Sequence, residues 1–136
     1  LPRVYREAPL NSIWEGSGNV NALDLLRALG KEPASLDAWL AEVGTVRGTD
    51  ATFDAAVTGV LDQLARDPAQ LEAQARLLAE RMAMLLQGSI LIRHAPNAVA
   101  DAFVATRLSP GGAPRTFGAY DTHIDVDTLI ERAAPH

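Results

Sequence analysis

Leucines, valines and alanines recur along most of this 136-residue chain at three- and four-residue intervals. That spacing lines one face of an α-helix. Val20, Leu23, Leu26 and Leu29 predict a helix that begins near Asn19 or Asn21, either able to cap it, and stops at Gly30. A short helix follows Ser35, carries Leu36, Trp39, Leu40 and Val43, and breaks at Gly44. After Gly48, Thr49 or Asp50 can cap a longer helix to about Arg66, with Phe53, Val57, Val60, Leu61 and Leu64 as its apolar stripe. In "RDPAQLEAQ", Asp67 is a cap and Pro68 takes the first helical position. The helix it opens carries Leu71, Leu78, Met82, Leu85 and Leu86 to about Arg93, with Gly88 a candidate bend. Asn97 to Leu108 predicts another helix, with Val99, Ala100, Phe103 and Val104 inward. "SPGGAPRTFGAYDTH", Ser109 to His123, reads as a loop. A last helix spans about Asp125 to Ala133.

These elements predict an all-α fold, an antiparallel helical bundle over residues 20–136 behind an irregular arm at residues 1–19. The arm has no clear period and is rich in turn formers: Pro2, Pro9, Asn11, Gly16, Ser17, Gly18 and Asn19. No internal repeat is visible. The length suits one domain with a real core. Trp39 and Phe53 read as part of that core.

Composition removes several function classes. With no cysteine there is neither a disulfide nor a thiolate metal site. Apolar runs such as Met82 to Leu86 are far too short to span a bilayer, and no signal-peptide core is visible, so the expected location is the cytoplasm. The net charge of −5 is unevenly placed. Over residues 1–34, Arg3, Arg6, Arg27 and Lys31 balance Glu7, Glu15, Asp24 and Glu32, so the deficit lies in residues 35–136. Such a surface repels phosphate backbones on average. His94, His123 and His136 lie far apart, and none has a second ligand at metal spacing. "DTHIDVD" lacks the glycine and spacing of a calcium loop and reads as a capping segment. Ser12, Ser17 and Ser89 lack a nucleophile elbow, and "RLSPGGAPR" reads as a solvent loop.

One stretch says more: "YREAPLNSIWEGSGNVNALDLLRAL". It resembles a segment of the acyl-CoA dehydrogenase family, flavoenzymes that carry Tyr/Phe-Arg-Asp, six variable positions and Tyr-Glu-Gly-Thr before a helix. Here Tyr5-Arg6-Glu7 and Trp14-Glu15-Gly16-Ser17 stand at that separation, with Asp replaced by Glu, Tyr by Trp and Thr by Ser. The Trp-Glu-Gly-Ser-Gly-Asn core is most similar to the AidB-like branch, relatives linked with the alkylation response. The close match covers about residues 3–29.

The resemblance implies that this chain, whose Leu1 is not a natural start residue, is the C-terminal piece of a larger FAD-dependent flavoprotein. It implies that Glu15 takes the α-proton of an acyl-CoA thioester while the flavin accepts the β-hydride, yielding the 2,3-enoyl-CoA. Trp14, Gly16, Ser17, Gly18 and Asn19 would lie against the FAD, and Arg6 and Glu7 would pair or brace the loop. An acyl-CoA, an electron acceptor and a homotetramer are the implied partners. On this reading the piece alone is inactive. A bare turn with a capping asparagine, and a Glu15 that merely supports a helix start, is the structural alternative. Two other functions are open: an oligomerisation bundle, and a nucleic-acid-binding helical domain as associated with AidB-like proteins. The latter needs Arg66, Arg76, Arg81, Arg93, Arg107 and Arg115 on one face, yet Asp62, Asp67, Glu72 and Glu80 fall among them.

Overall fold

The computed structural model describes residues 2–13, 17–109 and 123–134, and every regular element among them is helical. The helices are α1 (Pro2–Glu7), α2 (Leu10–Ile13), α3 (Ser17–Lys31), α4 (Pro33–Gly44), α5 (Ala51–Leu64), α6 (Pro68–Ala73), α7 (Ala75–His94), α8 (Asn97–Arg107) and α9 (Val126–Ala133). The expected all-α bundle is present. The arm, expected to be irregular, contains the two short helices α1 and α2. The last segment, α9, packs on α8. Positions 110–122, most of the expected late loop, lie outside the described residues.

α7 is the axis of the bundle, with α3, α4, α5 and α8 packed against it. α5 runs antiparallel to it: Phe53 near its start faces Gly88, while Gln63 near its end meets Arg81 and Gln74. Phe53, Val57 and Val60 of α5 and Leu78, Met82 and Leu85 of α7 form the centre of the core, closed by Val43 of α4 and Val46 of the following turn. Burying each such side chain contributes about 1.5–3 kcal/mol. Leu25, Leu26 and Leu29 of α3 pack on this core from the side. Trp39, half-buried, donates its indole N–H to the Met82 carbonyl oxygen at 3.3 Å, which pins α4 to α7.

At the starts of α5 and α6 a local acceptor that the sequence offers does the work. Asp67 Oδ1 accepts from the amides of Ala69 (2.9 Å) and Gln70 (3.2 Å), with Pro68 in the first turn. Between the two candidate caps of α5 the structure selects Asp50, whose Oδ1 accepts from Phe53 N at 2.8 Å. The turn before it needs Gly48, at φ +84° in the left-handed region, whose amide donates to the Asp54 carboxylate at 3.0 Å. Asp50→Ala is expected to lower stability by about 1 kcal/mol, and Asp50→Asn by much less, as read by chemical denaturation.

The expected helix from Asp67 to Arg93 is two helices. Gln74, at φ −110° and ψ 13°, leaves the helical region between α6 and α7. Its side chain explains the break: Gln74 Oε1 accepts from Gln63 Nε2 (3.3 Å) and Arg66 Nη1 (3.1 Å) on the α5 side. Gln63, only 1% exposed, in turn accepts from Arg81 Nη1 at 2.9 Å, so both ends of this buried amide are satisfied. Gly88 does not interrupt α7. It is a notch: a methyl group there would lie 3.2 Å from Phe53 Cε2 and 3.3 Å from Leu108 Cδ1.

The acidic segment near the C-terminus works as a cap. Asp125 accepts from the Thr128 hydroxyl (2.7 Å) and amide (3.1 Å). These two bonds, the hydroxyl first, hold its carboxyl below the usual carboxylate range. A lowered folded-state pKa means that the cap's contribution is present above the ordinary carboxylate pKa and is lost as pH falls through the folded one. α9 is therefore expected to fray in acid, with its amides losing exchange protection before those of α5, and Asp125→Asn should remove most of that pH dependence.

Candidate active-site loop

The motif residues sit on three consecutive pieces of chain. Tyr5, Arg6 and Glu7 fall on α1, an exposed single-turn helix without a buried residue. In place of an Arg6–Glu7 pair, Glu7 pairs with Arg3 one turn earlier, Arg3 Nε to Glu7 Oε1 at 3.0 Å. Trp14, Glu15 and Gly16 lie outside the described residues. Ser17, Gly18 and Asn19 open α3, where a loop with a capping asparagine was expected. α3 starts two residues before Asn19, so neither Asn19 nor Asn21 caps it.

This earlier start changes the chemistry available. The amides of a helix's first turn have no intrahelical acceptor, and the helix dipole makes that end positive. Gly18, which has no side chain, leaves its flank open to α7, and the Arg76 guanidinium occupies it. A Cβ at Gly18 would lie 3.5 Å from Arg76 Nη2. Arg76 forms no ion pair with a described residue. A guanidinium beside a helix N-terminus adds positive potential to positive potential, an arrangement suited to anionic groups. Were an anionic cofactor such as FAD held at this edge of α3, Gly18 and Asn19 would meet it with backbone and Arg76 with charge. Periodicity could not have revealed Arg76, which reaches this turn across 58 residues of sequence.

The other candidates separate in space or acquire structural roles. His94 ends α7 and is exposed, as is His123, and the described residues contain no cluster that could hold a metal ion. Of the arginines required on one face for nucleic-acid binding, Arg93 pairs with Glu42, Arg66 and Arg81 bond the Gln63–Gln74 amides, and Arg76 turns towards α3. Arg115 lies outside the described residues. No helix among the described residues is long and apolar enough to cross a membrane.

Comparison with known proteins gives the class. Over 115 residues, 85% of the chain, it is 39% identical to an Escherichia coli (strain K12) protein named "Putative acyl-CoA dehydrogenase AidB". Over 115 residues, 71% of the chain, it is 32% identical to "Acyl-CoA dehydrogenase family member 11" of Caenorhabditis elegans. The chain thus belongs to the acyl-CoA dehydrogenase family. Within the family it is AidB-like. The chain spans about a fifth of the length of these relatives, 21% and 19%. No family model matches it, and no solved structure does.

Proposed function

We propose that this chain is the C-terminal part of an FAD-dependent flavoprotein that oxidises an acyl-CoA to its 2,3-enoyl-CoA, with Glu15 as the base. The observation that carries the reading is the spaced motif from Tyr5 to Asn19, running directly into a helix whose first turn is flanked by a guanidinium. Glu15 precedes that helix by two residues. A carboxylate is by itself a weak base for a carbon-bound proton. Desolvation by a bound acyl chain raises its pKa towards the working pH, and a short tether to a packed helix limits the directions it can take. Ser17, Gly18 and Asn19, with Trp14 and Gly16, hold the cofactor edge, and Arg76 supplies positive charge there. FAD, when bound, supplies the hydride acceptor. The expected setting is cytoplasmic, with an acyl-CoA, an electron acceptor and a homotetramer as partners.

The 136-residue chain alone is expected to be inactive, since it holds only one turn of the cofactor contacts. The test therefore uses the longer polypeptide: it is purified, its bound flavin is measured, and acyl-CoAs of increasing chain length are added without oxygen. Bleaching of the flavin by one of them supports the reading. Bound flavin that no acyl-CoA reduces removes the dehydrogenase and leaves the assembly and nucleic-acid readings, the second of which predicts steeply salt-dependent DNA binding.

A further inference from the structure

The apolar stripe of Leu71, Ala75, Leu78, Met82 and Leu85 crosses Gln74 without a change of register, each member three or four residues from the next. A stripe in that register belongs to one helix. The structure has two, α6 and α7, and such a break needs a cause. Composition does not supply it: "EAQARL", Glu72 to Leu77, holds no proline or glycine and consists of good helix formers. The backbone bonds run up to the break and resume after it. Gln74 N donates to the Gln70 carbonyl oxygen at 3.2 Å, and Leu78 N donates to the Gln74 carbonyl oxygen at 3.0 Å. Between them, the amides of Ala75, Arg76 and Leu77 have no backbone acceptor among the described residues. Gln74 itself, at φ −110° and ψ 13°, stands about 50° from the helical value in each angle. Its side chain holds it there. Both donors to Gln74 Oε1, Gln63 Nε2 and Arg66 Nη1, come from α5 and the turn after it.

We propose that the α6–α7 junction is a two-state joint: the bonds of Gln63 and Arg66 to Gln74 latch α6 against α3, and their release joins α6 and α7 into one helix over residues 68–94. The joined form gains three backbone bonds, from the amides of Ala75, Arg76 and Leu77 to the carbonyls of Leu71, Glu72 and Ala73. It gives up the two bonds to Gln74 Oε1 and the packing of α6 on α3. It also leaves Gln63, 1% exposed, with an unsatisfied Nε2, and that cost keeps the latched form dominant. Two packings that trade hydrogen bonds for hydrogen bonds, with the apolar stripe in register in both, are the material of a conformational switch. The joint links α3, the helix that the motif opens, to a buried amide on α5. Whatever presses α6 onto α3 favours the latched form, and whatever displaces α6 favours the joined one. The joint stands whether or not the longer polypeptide carries flavin.

Amide hydrogen exchange in the longer polypeptide reads the joint directly. Relative to unstructured peptide rates, the wild-type amides of residues 75–77 should exchange at least about tenfold faster than those of residues 82–85 in the same helix. Gln74→Ala removes the acceptor. Gln63→Leu together with Arg66→Ala removes both donors and leaves the sequence of α6 and α7 untouched. Each protein should slow exchange at 75–77 by about tenfold or more, the reverse of what losing hydrogen bonds does in a merely structural network. Gln74→Glu keeps an acceptor for both donors and should keep the wild-type rates. The donor-free protein decides, because its helix propensity at the break is unchanged: exchange at 75–77 that is unchanged or faster would overturn the joint. Should that protein fail to fold, Gln74→Ala decides on the same terms. Wild-type amides at 75–77 as slow as those at 82–85 would overturn the joint equally.

Discussion

Replacing Glu15 by glutamine in the flavin-loaded longer polypeptide is expected to slow acyl-CoA-driven bleaching by about 10²–10⁴-fold, the usual contribution of a positioned general base. Glutamine keeps the size and hydrogen-bonding reach of the side chain and removes only its ability to accept the proton. Flavin content and thermal stability should therefore stay at the wild-type level, since the cofactor contacts assigned to Ser17, Gly18 and Asn19 do not pass through the carboxylate. Glu15→Asp should fall between the two, because it keeps the charge but withdraws it by one methylene. Rapid-mixing measurements of the anaerobic bleaching rate decide the matter. A Glu15→Gln protein that reduces its flavin at the wild-type rate would send the search for the base to another helix.

The second large effect concerns stability. Phe53→Ala is expected to cost about 3–5 kcal/mol, a large part of the 5–15 kcal/mol that holds an ordinary domain together. Phe53 is 0% exposed, and its ring meets the flank of Gly88 on α7. The backbone on the α7 side cannot move inward without dragging the axis of the bundle, so the void left by the ring would collapse only in part. Chemical denaturation followed through the half-buried Trp39, which spans α4 and α7, gives the value. A loss under about 1 kcal/mol would mean that α5 does not close the core where the structure puts it.

Most of the fold was legible because it depends on local rules. Asp67 caps the helix it was expected to cap, Asp50 is the one of two candidates that caps α5, and Asp125 caps α9 from within the segment expected to cap, since a short acidic side chain reaches the amides of its own next turn whatever surrounds it. The stripe of Phe53, Val57 and Val60 is buried as its spacing requires. What escaped was set across the chain. The break at Gln74 depends on an amide and a guanidinium eight to eleven residues away, and nothing in "EAQAR" marks it. Gln63 sits one place from an apolar stripe and gives no sign that it is buried as deeply as a leucine. The start of α3 was misplaced because Ser17, Gly18 and Asn19 are turn formers by propensity, a weak preference that packing against α7 overrides. The candidate site divides similarly. Glu15 was readable only through its motif and lies outside the described residues, whereas Arg76, read from the sequence only as a candidate for a nucleic-acid face, is placed beside Gly18 by the structure.

The notch at Gly88 has a consequence for how sequences of this kind can drift. Phe53, Gly88 and Leu108 share one small volume contributed by α5, α7 and the end of α8. Residue size there should be conserved as a total and not position by position. Gly88→Ala alone presses a methyl against two side chains, whereas Gly88→Ala together with Phe53→Leu returns the space. Among related chains a larger residue at the notch should therefore travel with a smaller one at position 53 or 108, and a double-substitution cycle would show the two changes to be strongly non-additive.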